Sequence, residues 1–549
     1  MKTKLLYGVA FVTLISVSAL TGCGRSNGAD KYDKDGRLIL ELKNTYFGGI
    51  DDKVISWDGT DTYTEMINEK FNVKIKPSNY SYGTWDDEVN MSITGQNLPD
   101  TIHYNLKAYN FGSSYEQWVK KMVIKALPTD LSKWPNLKSM IDNITNVDAL
   151  KIDGKLYGIP IANDISNPQK DFSNFTYVYR RDWAKAIDKQ NEGKAGYTPI
   201  YKEGDVYTWE EFQRLLQAFK VYVDSNDINE DAVIVDQPWA FPSITNFYKS
   251  APHCFTKDSS GKAINNFTSP EYIEGLEASK DAFDKHYYPQ DQYLYTEEND
   301  KAYSKYKAGL AGILYDNFSL SNYGKLRKSF KAMNKTVPID DGVAFLKVKD
   351  PNDKFALEGT ENWFSMTMFN YDISDMKMHK ILDIIDYLLS EEGTRLAIYG
   401  KEGYDYNIID GQVVLTEQGW EKGADGQYGT KINGAKCLRY MATLGNDTKA
   451  YDPYTDMDAF NIVNAWQEEM KAAKNAGNLR VVQEPGDISW MSTPTKNDKT
   501  ESLLMDANSY ASQYCVGKPL TTIEAYKAAF DKDSNWKKAL DEINAKLGK

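Results

Sequence analysis

Cys23 carries the plainest chemistry in this 549-residue chain. Leu20-Thr21-Gly22 stand before it, one apolar and two small residues. A lipoprotein-processing peptidase admits such a backbone, and the thiol takes a diacylglyceryl group. Lys2 and Lys4 form a positive start, and the uncharged apolar run Leu5 to Leu20 follows. That run is shorter than the roughly 20 residues that span a bilayer, so cleavage is expected rather than a transmembrane anchor. Residues 1–23 are thus expected to form a signal peptide ending in a lipidated cysteine, and two acyl chains hold a protein at a membrane where one does not. Residues 24–37 are small, polar and charged, and suit a flexible tether. The expected location is the outer face of the cell membrane, or the periplasm where an outer membrane exists.

Other groups suggest binding more than catalysis. The chain has 12 Trp and 38 Tyr, rings that fill cores and also stack on flat, partly apolar ligands. Asp227, Asn229 and Asp231 repeat at the spacing that opens a calcium loop, but Ala232 stands where glycine is usual and Pro238 at the twelfth position where glutamate is usual. A solvated acidic turn is the preferred reading; no cofactor is required and calcium is an optional ligand. The four histidines have no metal-ligand spacing, and no phosphate loop, nucleophile elbow or HExxH helix occurs. Cys254, Cys437 and Cys515 allow one bridge at most, so disulfides do not frame the fold. The net charge of −13, or −15 once Lys2 and Lys4 are removed, argues against nucleic acid and against broad contact with anionic lipid.

The elements that would position such groups alternate. Leu38–Leu42, Val73–Lys76 and Thr101–Tyr104 read as strands. Helices opening at Thr62-Tyr-Thr-Glu65 and at Thr84-Trp-Asp-Asp87 separate them. Tyr177–Arg180 reads as a strand entering a helix, and Thr208-Trp-Glu-Glu211 as a capping box before Phe212, Leu215, Leu216 and Phe219. Ser269-Pro270 starts a further helix. Gly312–Tyr315, Val343–Val348 and Trp363–Phe369 read as strands, and Ile381, Ile384, Ile385, Leu388 and Leu389 share a helix face. Thr521-Thr-Ile-Glu524 opens the closing helices. The βαβαβ order predicts a parallel sheet with helices on both faces, and the whole pattern gives two α/β lobes and a helical C-terminal part.

Six segments, in order, resemble one family. Lys151-Ile-Asp-Gly-Lys-Leu-Tyr-Gly-Ile-Pro160 closely resembles a recurrent signature of bacterial extracellular solute-binding proteins of family 1, the receptors of ABC-type sugar importers. Leu98-Pro-Asp-Thr-Ile102 resembles its LPD strand entry, Tyr179-Arg-Arg-Asp-Trp183 its RKDW helix start, and Tyr207-Thr-Trp-Glu-Glu-Phe212 its TWDEF segment. Asp386-Tyr-Leu-Leu-Ser-Glu-Glu-Gly393 resembles DYLYSEEG, and Tyr399-Gly-Lys-Glu-Gly-Tyr404 resembles YGIEGxxY. The resemblance implies the two-lobed periplasmic-binding-protein type II fold, each lobe a mixed sheet flanked by helices with extra helices at the C-terminus, with lobe 1 over 38–165 plus 340–405 and lobe 2 over 166–339 plus 406–549. It also implies a non-enzymatic, monomeric receptor of the large oligosaccharide-binding lipoprotein-like group. Its partners would be a carbohydrate, ABC permease subunits in the membrane and the lipid anchor. Some relatives carry calcium in a loop comparable to 227–231.

Sugar recognition needs ring faces beside planar polar side chains, since an unpaired hydroxyl in a closed cleft is costly. The candidate contacts are therefore Tyr46, Trp57 and Asp58 in the first loop, Trp85, and Tyr104 with Asn105 at a strand end. In the second lobe they are Trp239, Asp316 and Asn317; Glu361, Asn362 and Trp363 lie near the crossover and Trp490 in a late loop. Trp118, Trp183, Trp209, Trp420, Trp466 and Trp536 are expected on helices, in the core. The rival readings are a receptor for peptides or another polar solute, a lipoprotein glycosidase with two carboxylates about 5–10 Å apart, and a sensor subunit that reports to a kinase.

Overall fold

The computed structural model describes residues 30–549 except 45–46, 48–56, 81–84, 105–110, 163–171, 226–231, 238–252, 292–303, 410–411, 423–427, 431–432, 443–456 and 490. The chain first lays down β1 (Leu38–Lys43), β2 (Val73–Ser78), β3 (Thr101–Tyr104), β4 (Ile124–Lys125) and β5 (Ile159–Ala162). It then crosses to β6 (Phe175–Tyr179), β7 (Val206–Tyr207) and β8 (Val233–Asp236), the hairpin β9 (Phe255–Lys257) and β10 (Ala263–Asn265), and β11 (Ala311–Asn317) and β12 (Ala344–Val348). After β13 (Phe355–Glu358) it returns as β14 (Trp363–Asn370). Hairpins β15 (Tyr406–Ile409) with β16 (Gln412–Leu415), and β17 (Trp420–Lys422) with β18 (Tyr428–Thr430), precede β19 (Leu479–Val482).

Two mixed sheets result. The first runs β2-β1-β3-β14-β4, with β5 also on β14; the second runs β7-β12-β6-β11-β8. In each, one strand is antiparallel to the others: β14 in the first, β6 in the second. Both sheets carry helices with buried faces, such as Ile381, Leu382, Ile384, Ile385 and Leu388 of Asp375–Leu388 on the first, and Phe212, Leu215, Leu216 and Phe219 of Trp209–Ser225 on the second. The expected α/β class and paired mixed sheets are present.

The segments that carry the family resemblance build this frame. Asp100, from Leu98-Pro-Asp, accepts from the Glu41 amide at 2.7 Å and from Lys377 Nζ at 2.9 Å on both oxygens. One carboxylate so ties β1 to the helix behind the sheet. Gly158 lies under β14, where an added Cβ would fall 2.8 Å from Met368 Cγ, so only glycine lets β5 approach. Arg180 grips Asp182 through two hydrogen bonds of 2.7 and 2.6 Å. Asp386 accepts the Asn136 and Leu137 amides at 2.8 and 2.9 Å, at the start of helix Pro135–Asp142. Asp405, just past Tyr404, accepts from the Tyr63 hydroxyl and the Lys401 amide, both at 2.6 Å.

The capping box at Thr208 forms reciprocally. The Thr208 amide donates to Glu211 Oε2 at 2.9 Å and the Glu211 amide to Thr208 Oγ1 at 3.3 Å. Thr208→Ala is expected to lower stability by about 1 kcal/mol, read as a shift in the urea midpoint at unchanged slope. Two other caps differ by one residue from expectation. Asp61, not Thr62, caps helix Thr62–Phe71, and Thr522, not Thr521, caps Ile523–Lys532. In each, the side chain of the residue just outside the helix accepts from the first free amides: Asp61 from Thr64 and Thr522 from Ala525.

The lobe boundaries also differ. β12 lies between β7 and β6 in the second sheet, so 344–348 belong with the second lobe rather than with 340–405 of the first. Cys437, Leu438, Tyr440 and Met441 pack into the first core, so this helix belongs with lobe 1 although it follows residue 406. The helices Pro494–Val516, Ile523–Lys532 and Ser534–Leu547 share a separate core with β9, β10 and helix Pro270–Asp284. Cys254, Cys437 and Cys515 are all buried. Trp420 begins a strand rather than lying on a helix, while Trp118, Trp183, Trp209, Trp466 and Trp536 are core residues as expected.

Candidate functional site

The strand registers aim both sheets at one gap. Trp363 at the start of β14 pairs with Ala162 at the end of β5, and Met366 pairs with Tyr104 at the end of β3. Across the junction, Phe175 at the start of β6 pairs with Asn317 at the end of β11, and Asp236 at the end of β8 pairs with Leu314. The parallel strands of both lobes thus point their carboxyl ends toward the crossing segments. Ligands of open α/β sheets bind at such ends. The junction itself is a ribbon: Phe172 bridges Gly359, the Ser173 amide donates to Glu358 O at 2.7 Å, and the Gly359 amide donates to Val482 O at 2.7 Å.

The second-lobe rim is rich in carboxylates and amides. Asp316 is buried at the end of β11. Asn317, half-buried, accepts the Ser319 amide at 3.2 Å and so helps set the start of helix Leu320–Met333. Asn174 Oδ1 accepts from Gln467 at 3.1 Å, while the Phe175 ring stacks on Tyr315 at 6.1 Å. Asp236 is fully buried. Its Oδ2 accepts the Tyr306 amide at 3.2 Å, whereas Oδ1 has no hydrogen-bond partner among the described residues. Burial pushes this carboxyl up to about 7, against the pull of the Tyr306 amide and of Lys305. Asp236 and Asn174 were not among the sequence candidates. The signal for Asp236 was an acid closing the apolar strand Val-Ile-Val, directly before Gln237-Pro238-Trp239.

In the first lobe several expected contacts serve the fold instead. Trp57 is 4% exposed, edge-on to Phe47 at 4.6 Å, and its indole N–H meets Asp61 Oδ2 and Thr64 Oγ1 at 2.8 Å each. It braces a helix cap. Tyr104 is buried edge-on to Trp118 at 4.8 Å. Asn362 spends its carboxamide on the Thr145 amide and hydroxyl at 2.9 and 3.1 Å and on Asn143 O at 2.7 Å. Trp363 has no exposed surface. Tyr104 ends a core strand and Trp363 begins one, so the core takes both rings. Asp58 remains exposed and folds back on Thr60, whose hydroxyl and amide hold its carboxyl below the usual range. Glu361 is half-buried beside the ribbon, and Trp85 opens helix Trp85–Thr94. Tyr80, buried at the rim after β2, has Lys43 over its ring at 4.1 Å and a hydroxyl without a partner among the described residues. Tyr46, Asn105, Trp239, Trp490, Cys23 and the 227–231 turn lie outside the described residues. Among those described, no group of three His, Cys, Asp or Glu is placed to hold a metal, and no helix is long and apolar enough to cross a membrane.

No protein-family model matches the chain. No curated protein matches it in sequence. Its fold does match solved structures. An extracellular solute-binding protein from Bifidobacterium longum subsp. infantis superposes with a TM-score of 0.62 at 14% identity, over 94% of this chain and 100% of that one. An HMO-binding, ABC-transporter-associated solute-binding protein from Bifidobacterium longum infantis gives 0.61 at 13%, over 93% and 98%. The alginate-binding protein AlgQ2, without calcium ion, gives 0.58 at 14%, over 92% and 97%. At these identities the likeness establishes the fold of solute-binding proteins.

Proposed function

We propose that this protein is a lipid-anchored extracellular receptor of family 1 that captures an oligosaccharide between its lobes and delivers it to an ABC permease. The supporting observation is the pair of sheets whose carboxyl ends face one gap across a short ribbon, in a fold shared end to end with ABC-transporter-associated binding proteins. Sugar hydroxyls are donors, and the second rim offers buried acceptors: Asp316 and Asp236, whose Oδ1 has no partner among the described residues. A hydroxyl seated on such an oxygen removes the cost of leaving it unsatisfied. Asn317 and Glu361 stand at the edge of the same gap. Trp239 and Trp490 are proposed from sequence as the stacking platforms. Calcium enters only as an optional ligand of Asp227, Asn229 and Asp231; the alginate-binding neighbour was determined without calcium ion. Closure on the ligand is the state the permease would read.

Calorimetry against a panel of glycans and peptides, on the chain lacking residues 1–23, tests the reading. At least one glycan of three or more units is expected to bind at micromolar affinity or better. Binding of peptides alone, or turnover of a glycan, would overturn it.

A further inference from the structure

The end of the first lobe opposite the gap holds a second surface. There the first described residues fold back on the body. Tyr32 bridges Leu38, the Ile39 amide donates to Lys31 O at 2.9 Å, and Ser374 Oγ donates to Asp30 Oδ1 at 2.6 Å. The Tyr32 hydroxyl reaches Met376 Sδ at 4.0 Å. The same pole gathers the end of β14 and the start of β4, joined where the Tyr371 amide donates to Val123 O at 2.9 Å. Four large side chains are exposed on it: Tyr32 at 51%, Met122 at 50%, Tyr371 at 39% and Met376 at 46%.

We propose that this pole rests on the outer lipid surface, with Tyr32, Met122, Tyr371 and Met376 at headgroup level. The proposal rests on the lipid anchor at Cys23 argued above. Cys23 lies seven residues before Asp30, a reach of at most about 24 Å for extended chain. The tether cannot shed that limit, because Asp30 and Tyr32 are fastened to the helix Asp375–Leu388. An anchored chain therefore holds this pole, and not the second lobe, beside the bilayer. Tyrosine and methionine suit that depth, each with an apolar body and a polar or polarizable atom. Two cations of this pole are paired: Lys125 with Asp375 at 2.7 Å and Lys31 with Glu41 at 3.8 Å. The contact thus rests on side-chain partitioning rather than attraction to anionic lipid.

The test uses the full acylated protein in phosphatidylcholine vesicles. The three remaining native cysteines are buried, so an added surface thiol takes a fluorophore selectively. Labels at Met122→Cys and Met376→Cys are expected to be quenched by a headgroup nitroxide at least threefold more than labels at Met333→Cys and Met505→Cys, which are exposed elsewhere at 61% and 65%. Equal quenching at all four positions in protein that floats with the vesicles would overturn the pole and leave the anchor standing. Sedimentation of wild type and Cys23→Ser together, neither with vesicles, would overturn the anchor and with it this face.

Discussion

Replacing Lys377 with methionine lowers the unfolding free energy of the protein by about 3–5 kcal/mol. The pair it breaks is almost wholly buried, with both Asp100 oxygens 2.9 Å from the ammonium. Burial already raises the Asp100 carboxyl, and Lys377 is what opposes that rise beside the Glu41 amide. Methionine fills the volume but leaves the carboxylate unpaired among β1, β14 and their covering helix. The loss is read as a fall in the urea midpoint at constant slope. Asp100→Asn in the Lys377→Met background should recover part of it, since the amide carries no charge to desolvate. A shift below 1 kcal/mol would show that the pair merely balances its own desolvation.

The second large effect concerns Asp236 and depends on pH. Its folded-state value of about 7 stands above the ordinary 3.8. The folded protein therefore binds a proton that the unfolded chain has released, and stability falls as pH rises from about 4 to about 7. Three units correspond to roughly 4 kcal/mol. Wild type should melt lower at pH 8 than at pH 5, and Asp236→Asn should abolish that part of the slope while keeping an oxygen for the Tyr306 amide. Thermal melts at the two pH values decide the matter: parallel slopes in both proteins would mean that Asp236 is not the group responsible.

Local chemistry made much of the fold legible in the sequence. The Thr208–Glu211 box, the Ser269-Pro270 start and the apolar face of Ile381 to Leu388 depend on neighbours a few residues away, and each forms as read. Partner choice between strands is not local. Val343–Val348 reads as a strand, yet nothing near it says that it slots between β6 and β7 rather than into the first sheet. The recognisable segments behave alike: Asp100, Gly158, Arg180, Asp386 and Asp405 are joints of the frame. They identify an architecture and say nothing of the ligand. Two of the tryptophans chosen for lying in loops are buried, for a related reason. Trp57 braces a helix cap and Trp363 begins a core strand, and a large ring in either place gains more from burial than from waiting for a ligand. The acid at the end of a wholly apolar strand is a sign of another kind, because burying it costs free energy that only a partner or a protonation offsets.

The ribbon between the lobes has a mechanical meaning. A lone covalent linker swivels freely, but here Ser173, Glu358, Gly359 and Val482 are stitched laterally by backbone hydrogen bonds. A Cβ on Gly359 would fall 2.3 Å from Gln483 Oε1, so the third strand is held tight against the other two. Any closure of the lobes of the kind proposed above must pass through this stitched seam, and an interlobe distance, followed by resonance energy transfer, would report it.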